Sequence, residues 1–99
     1  MRLEWSFIAE SYFDQLSPAE RSRVLHVVEQ LPVSWDTLEG TRLQKLEGDQ
    51  SGLFSLRVGS DLRVLVRRQD DAVTVIDVVR RGQVDGLRRV TEQRQLVPG

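Results

Sequence analysis

Apolar and polar residues alternate over the stretch 53–80, and this alternation predicts three β-strands at about 53–58, 62–68 and 73–80. Successive side chains of a strand point to opposite faces, so an apolar residue at every second position marks the face that meets a core. A three-residue loop, Gly59-Ser60-Asp61, is the connection that brings the apolar residues of the first two strands to one face. Those residues are Phe54, Leu56, Val58, Leu62, Val64 and Val66.

The same register sets the polar face of the hairpin. It places Arg57 directly opposite Arg63, where like charges repel, and such a pair is more plausible with an anion between them. For the next turn we expect another odd loop, Gln69-Asp70-Asp71, which pairs Arg63 with Asp77 and Val64 with Ile76. The predicted outer face then carries Ser55, Arg57, Arg63, Leu65, Arg67, Asp77, Val79 and Arg81.

Helical spacing dominates the first third of the chain. "SPAERSRVLHVVEQL" predicts a helix with Ser17 as N-cap, Pro18 at the first position and Glu20 completing a capping box. Before it, "RLEWSF" predicts a short strand with Leu3, Trp5 and Phe7 on one side, and "IAESYFDQL" a short amphipathic helix.

The remaining segments complete the predicted order. "PVSWDTLEGT" is typical of a connecting loop, and "RLQKLEGDQSG" suggests a short extended run and a turn. "VDGLRRVTEQRQL" is weakly helical. We therefore predict one α+β domain over residues 1–99, of order β-α-α-β-β-β with a short C-terminal helix, its helices packed on one face of an antiparallel sheet.

The amino-acid composition excludes several kinds of site. The 99 residues carry a net charge of −1 and no cysteine, which excludes disulfides and thiolate chemistry, and the single His26 argues against a structural zinc site. No motif for a metal or cofactor is found, so we expect neither. Without an apolar run near 18 residues or a basic-then-apolar leader, we expect no membrane span and a cytoplasmic location.

Two interpretations of the arginine face are open. Several arginine forks converging on one phosphodiester bind phosphate oxygens well and stabilise the charge of a pentacovalent transition state. The other interpretation is a solvated sheet face in which Arg63 and Asp77 form an ordinary cross-strand ion pair. His26 is expected on the exposed side of its helix, and the two tryptophans, Trp5 and Trp35, are expected to pack rather than to stack on bases.

The sequence resembles the RelE/ParE superfamily of bacterial toxin–antitoxin toxins over most of its length. The resemblance is carried by "RVLHVVEQL", then "LQKLEGDQSGLFSLRVGSDLRVLV", then "VTVIDVVRR". It implies a RelE-like fold and one of two activities. RelE-like members cut mRNA in the ribosome by activating the 2′-hydroxyl of the RNA without a metal, whereas ParE-like members inhibit DNA gyrase. Both kinds are neutralised by a cognate antitoxin.

The resemblance also implies residue roles. It assigns catalysis to Arg57, Arg63 and Arg81: Arg57 and Arg63 on the scissile phosphate, and Arg81 at the basic position after the last strand. Arg67, Arg80 and Ser55 are the further residues expected to bind RNA or phosphate. An acid such as Glu47, or a water chain, would accept the 2′-hydroxyl proton.

The chain also departs from the RelE-like pattern. Leu87 falls near the position where these nucleases keep a tyrosine, and no tyrosine or histidine follows residue 26. The composition is mildly acidic, whereas ribosome-directed toxins are strongly basic. Both departures favour the alternatives, which are a ParE-like gyrase inhibitor and an attenuated toxin acting mainly as an antitoxin partner. Because Arg57, Arg63 and Arg81 match the nuclease pattern, we expect a metal-independent, ribosome-dependent mRNA endonuclease.

Overall fold

The computed structural model describes residues 1–46 and 52–82, which form five strands and three longer helices. In chain order these are β1 (Arg2–Trp5), α1 (Phe7–Asp14), α2 (Pro18–Val28), α3 (Leu31–Leu38), β2 (Leu43–Lys45), β3 (Leu53–Val58), β4 (Leu62–Gln69) and β5 (Ala72–Arg80). The α+β class is confirmed, and the structure adds a helix, α3, and a short strand, β2, to the predicted order. The helix predicted in residues 84–96 lies outside the described residues.

The five strands form one sheet in the order β1-β5-β4-β3-β2. Three neighbouring pairs are antiparallel, but β1 runs parallel to β5, from Arg2 beside Ala72 to Trp5 beside Val75. The prediction of an antiparallel sheet was therefore wrong, since the sheet is mixed. A parallel neighbour needs a long connection, and the chain between β1 and β5 supplies it.

Helix α2 begins as its sequence predicts. Glu20 N–H donates to the Ser17 hydroxyl over 3.2 Å, and Ser17 N–H donates to Glu20 Oε1 over 3.1 Å, which completes the capping box. The helix ends at Val28, and its Val24, Val27 and Val28 side chains are buried.

Helix α3 occupies most of the segment predicted as a loop. Pro32 lies in its first turn, where the missing N–H costs no hydrogen bond, so this proline is compatible with a helix start. Trp35 is 3% exposed and packs edge-on against Phe54 of β3 with ring centroids 5.0 Å apart, which confirms its packing role. The burial of this ring against the sheet stabilises a short helix that the local sequence of residues 32–41 does not predict.

Helix α1 starts one residue earlier than predicted. The Ser6 hydroxyl accepts from Ala9 N–H over 3.0 Å and donates to the Ile76 carbonyl over 2.7 Å, so the chain leaves β1 at Ser6. Phe7, predicted on the apolar side of the first strand, instead opens α1 and is 82% exposed.

The first hairpin has the predicted register: Arg57 lies opposite Arg63, Leu56 opposite Val64 and Val58 opposite Leu62. The second hairpin does not. Its loop is shorter by one residue, with Gln69 paired to Ala72, and a β-bulge between Val75 and Asp77 leaves Ile76 without a partner on β4. The two deviations add up to a shift of two residues, so Arg63 lies opposite Val79 and Asp77 lies opposite Leu65.

A shift of two residues gives the β5 residues after the bulge new partners on β4 but leaves their side chains on the predicted face, because side chains alternate with a period of two. Asp77, Val79 and Arg81 stay on the outer face, as predicted. Before the bulge the faces are reversed, and Val73 and Val75 are fully buried in the core. The core lies between the helices and the inner face of the sheet, with Leu56, Val64 and Val66 at its centre.

Candidate phosphate-binding site

Four arginines line one cleft on the outer face of the sheet, on the side away from the helices. The cleft has a volume of about 460 Å³ and is bordered by Arg42, Arg57, Arg63 and Arg81, together with Gly59 and Ser60 of the β3–β4 turn. Each arginine comes from a different segment of the chain, so the cleft depends on the assembled sheet.

Backbone pairing explains why these side chains meet. Arg57 N–H donates to the Arg42 carbonyl over 2.8 Å, and Arg57 lies directly opposite Arg63 on β4. Because the Arg57 backbone bonds toward β2, its pairing with Arg63 is of the non-hydrogen-bonded type, in which side chains lie closest. Arg81 follows the last residue of β5, and its N–H donates to the Asp61 carbonyl over 2.7 Å.

The cleft is electropositive because no carboxylate is among the described residues that line it. Arg2, Arg68 and Arg80 each lie within 4 Å of a carboxylate, and none of these three lines the cleft. Arg63 is held in place by a 2.8 Å hydrogen bond from its Nη1 to the Leu62 carbonyl. Guanidinium groups stay protonated at any physiological pH, so this arrangement suits a phosphate dianion or a phosphodiester.

Asp77 is an acidic residue on the same face of the sheet, two residues along β5 from Val79, which lies opposite Arg63. It lies opposite Leu65, and its Oδ1 accepts from Val78 N–H over 2.8 Å. Burial raises the pKa of Asp77 above its ordinary value, and the hydrogen bond from Val78 offsets part of that rise. The register contradicts the predicted Arg63–Asp77 cross-strand pair.

The other predicted ligands lie outside the cleft. Ser55 and Arg67 are half-buried on the same outer face, Ser55 opposite Leu65 and Arg67 opposite Thr74. Arg80 lies on the helix side of the sheet, where its guanidinium contacts Glu20 and Asp61. Arg80 therefore faces away from the cleft, and its role in binding RNA or phosphate stays a prediction.

Arg42 lines the cleft although it was not predicted as a site residue. The segment around it was predicted as an extended run without a partner, so nothing placed its side chain beside β3. The signal was present in "RLQKL", where Leu43 alternates with polar neighbours and is fully buried opposite Leu56. Glu47 and Leu87, the positions considered for proton transfer, lie outside the described residues.

The described residues that line the cleft include no histidine. His26 is exposed on α2, as predicted, with its Nε2 3.2 Å from Gln30 Nε2. Among residues 1–46 and 52–82 no three His, Cys, Asp or Glu side chains are grouped to hold a metal ion.

None of the helices in these ranges has both the length and the apolar character needed to cross a membrane.

The similarity of this chain to known proteins lies in its fold. No family model and no curated protein sequence matches this chain. Among solved structures, it is similar to a chain of the archaeal RelE–RelB complex from Pyrococcus horikoshii, with 24% identity, a TM-score of 0.66, and 83% of this chain and 96% of that chain covered. The chain has the fold of the RelE and YoeB toxins.

Two further structures support this assignment of the fold. A chain of the YoeB–YefM complex from Staphylococcus aureus is 18% identical, with a TM-score of 0.63 and 80% of this chain and 94% of that chain covered. The YoeB/ParE toxin from Agrobacterium tumefaciens is 19% identical, with a TM-score of 0.63 and coverage of 81% and 98%. The predicted RelE-like fold is thereby confirmed independently of the sequence motifs.

Proposed function

We propose that this protein is the toxin of a type II toxin–antitoxin system and a metal-independent, ribosome-dependent mRNA endoribonuclease. The observation that carries the proposal is the convergence of Arg42, Arg57, Arg63 and Arg81 on one cleft without a carboxylate in its described lining. The fold shared with RelE and YoeB toxins supports the same activity.

In the proposed reaction the RNA supplies its own nucleophile. The 2′-hydroxyl oxygen attacks the adjacent phosphorus, its proton passes to water, and the bond from phosphorus to the 5′ oxygen breaks. The leaving oxygen takes a proton from water, so the products are a 2′,3′-cyclic phosphate and a 5′-hydroxyl. No oxidant, metal or external nucleophile is required.

The arginines have separate tasks in this reaction. Arg57 and Arg63, which oppose each other across two strands, hold the scissile phosphate, and Arg42 extends that grip from the edge strand. Arg81 stabilises the charge that builds on the phosphorane and on the leaving oxygen. A guanidinium is too weak an acid to shuttle protons, so the rate gain comes from in-line positioning and charge stabilisation.

The test is cell-free translation of a reporter mRNA with purified protein, followed by mapping of RNA 5′ ends with and without ribosomes. We expect cuts at fixed codon positions on translated mRNA alone. Arg63→Ala should lower the cleavage rate about 10²-fold, because the scissile phosphate loses one of the groups that hold it in line for attack. Arg68→Ala is the matched control, because Arg68 lies on the same strand but pairs with Asp36 away from the cleft.

Intact mRNA and undisturbed translation would remove the nuclease proposal. An equal loss of activity in Arg63→Ala and Arg68→Ala would show that the cleft is not the site. Circular dichroism of both variants establishes that each retains its fold.

The second candidate function is inhibition of DNA gyrase without chemistry of the protein's own. It is favoured by the lack of any tyrosine or histidine after residue 26, which deprives a nuclease of the proton-transfer group that RelE-like enzymes use. A supercoiling assay separates the two: a gyrase inhibitor blocks supercoiling and tolerates Arg63→Ala. An attenuated toxin would be inert in both assays and cause no growth defect when expressed alone.

We further propose that a cognate antitoxin covers an apolar groove beside the helices. The groove, of about 270 Å³, is lined by Trp5, Glu10, Phe13, Asp14 and Leu25. Leu25→Lys should weaken co-purification with the antitoxin, whereas Val33→Lys, at a more exposed apolar position that does not line the groove, should not. Equal binding by both variants would place the antitoxin elsewhere.

A further inference from the structure

Three charged side chains meet where the sheet, the β3–β4 turn and α2 come together. Nη1 of Arg80 lies 2.7 Å from Glu20 Oε2 and 2.8 Å from Asp61 Oδ2. One guanidinium nitrogen thus links the end of β5 to the first turn of α2 and to the hairpin loop. We refer to Glu20, Asp61 and Arg80 as the Arg80 cluster.

Asp61 contacts two consecutive residues of the chain in different ways. Its carboxylate accepts from Arg80, and its backbone carbonyl accepts from Arg81 N–H over 2.7 Å. Arg81 follows β5 directly, and its side chain lines the cleft. Asp61 thus holds both the Arg80 side chain on the helix side and the Arg81 N–H, which restrains the backbone from which Arg81 enters the cleft.

Glu20 provides a firm anchor for the cluster. Its other carboxylate oxygen is engaged in the α2 capping box with Ser17. The hydrogen bond from Arg80, followed by that from Ser17 N–H, lowers the pKa of Glu20 to about 2. The carboxylate is therefore charged at every physiological pH, and its position is tied to the helix axis.

We propose that the Arg80 cluster is a positioning device that orients Arg81 toward a phosphate in the cleft. Arg81 follows immediately after the last β5 residue, so strand pairing on its own leaves this end of the chain less constrained. The inference rests on the proposed nuclease function for its catalytic consequence. Its structural part, the restraint on Arg81, holds for any anionic ligand of the cleft.

The experiment compares Asp61→Asn with Asp71→Asn. Both remove one negative charge from an exposed hairpin turn, but only Asp61 contacts Arg80. Electrostatics alone predicts slightly tighter RNA binding for both variants, since the protein becomes more positive. Loss of positioning predicts instead that Asp61→Asn cleaves RNA more slowly, since a misplaced catalytic group costs up to about 10²-fold in rate.

We expect Asp61→Asn to lower kcat for ribosome-dependent cleavage at least tenfold with KM nearly unchanged, and Asp71→Asn to leave both near wild type. Asp61→Glu, which keeps the charge, should recover part of the loss. Equal kcat values in Asp61→Asn and Asp71→Asn would overturn the positioning role. A rise in KM alone would overturn it too, since that pattern indicates ground-state binding.

A readout independent of catalysis separates this inference from the proposed function. Hydrogen exchange of the Arg81 amide should speed up at least tenfold in Asp61→Asn and remain at the wild-type rate in Asp71→Asn. Wild-type protein that cleaves no mRNA would remove the nuclease proposal, and the exchange result would then decide the restraint on Arg81 alone. Unchanged exchange in Asp61→Asn would refute that restraint whatever the activity.

Discussion

Replacement of Arg57 by glutamine should make the fold more stable while weakening the binding of phosphate in the cleft. Arg57 and Arg63 lie directly opposite each other in a non-hydrogen-bonded pair, and Arg42 borders the same cleft. Two unit charges about 6 Å apart in water repel by roughly 0.7 kcal/mol, and a second neighbour adds to this. We expect Arg57→Gln to raise the free energy of unfolding by about 0.5–1 kcal/mol at low salt.

The measurement is urea denaturation at two ionic strengths, with and without inorganic phosphate. In about 1 M salt the Debye length falls to about 3 Å, so the gain of the variant should disappear. Phosphate should stabilise the wild type more than the variant, because it binds the folded cleft and relieves the same repulsion. Arg68→Gln is the control: Arg68 lies 3.8 Å from Asp36 and 5.5 Å from the Trp35 ring centroid, so its loss should not stabilise the fold.

A neutral or destabilising Arg57→Gln at low salt would refute the reasoning. So would an equal response of variant and wild type to phosphate, because the cleft would then not be the anion site. A gain that persists in 1 M salt would point to a cause other than charge, such as a better strand propensity of glutamine.

Three further predictions test the fold and its charges. Glu20→Gln should lower the free energy of unfolding at pH 7 and weaken its dependence on pH in acid. A carboxylate whose folded pKa is about 2 contributes its full stabilisation above its ordinary pKa of 4.5 and loses it as the pH falls toward 2. Denaturation measured as a function of pH checks this. Asp77→Asn should stabilise the fold at pH 7, since burial raises the pKa of Asp77 and its ionised form is the costly one, and this gain should vanish below its ordinary pKa of 3.8. Trp35→Ala should cost about 3–5 kcal/mol of unfolding free energy in urea titrations, the usual cost of deleting a buried tryptophan; a cost below about 1 kcal/mol would mean that α3 does not depend on this ring.

Local patterns were sufficient for the elements whose determinants are close in sequence. The capping box of α2 needs only Ser17 and Glu20, three residues apart, and the β3–β4 hairpin needs only its alternation and turn length. The opposition of Arg57 and Arg63 followed from that hairpin, so the centre of the candidate site was predictable. His26 and Trp35 also took the exposed and packed positions that their patterns indicate.

The sequence by itself therefore determined the strands, the first register and the paired arginines of this protein. Tertiary structure alone decided the parallel β1–β5 pairing, the helical state of α3, the bulge at Ile76 and the arrival of Arg42 in the cleft. It also sent Arg80 to the helix side, where Glu20 and Asp61 hold it. The physical reason is the distance along the chain between the interacting residues. Alternation and capping act within a few residues, whereas a bulge, a parallel neighbour or a packed tryptophan is stabilised by groups that only the assembled sheet brings together.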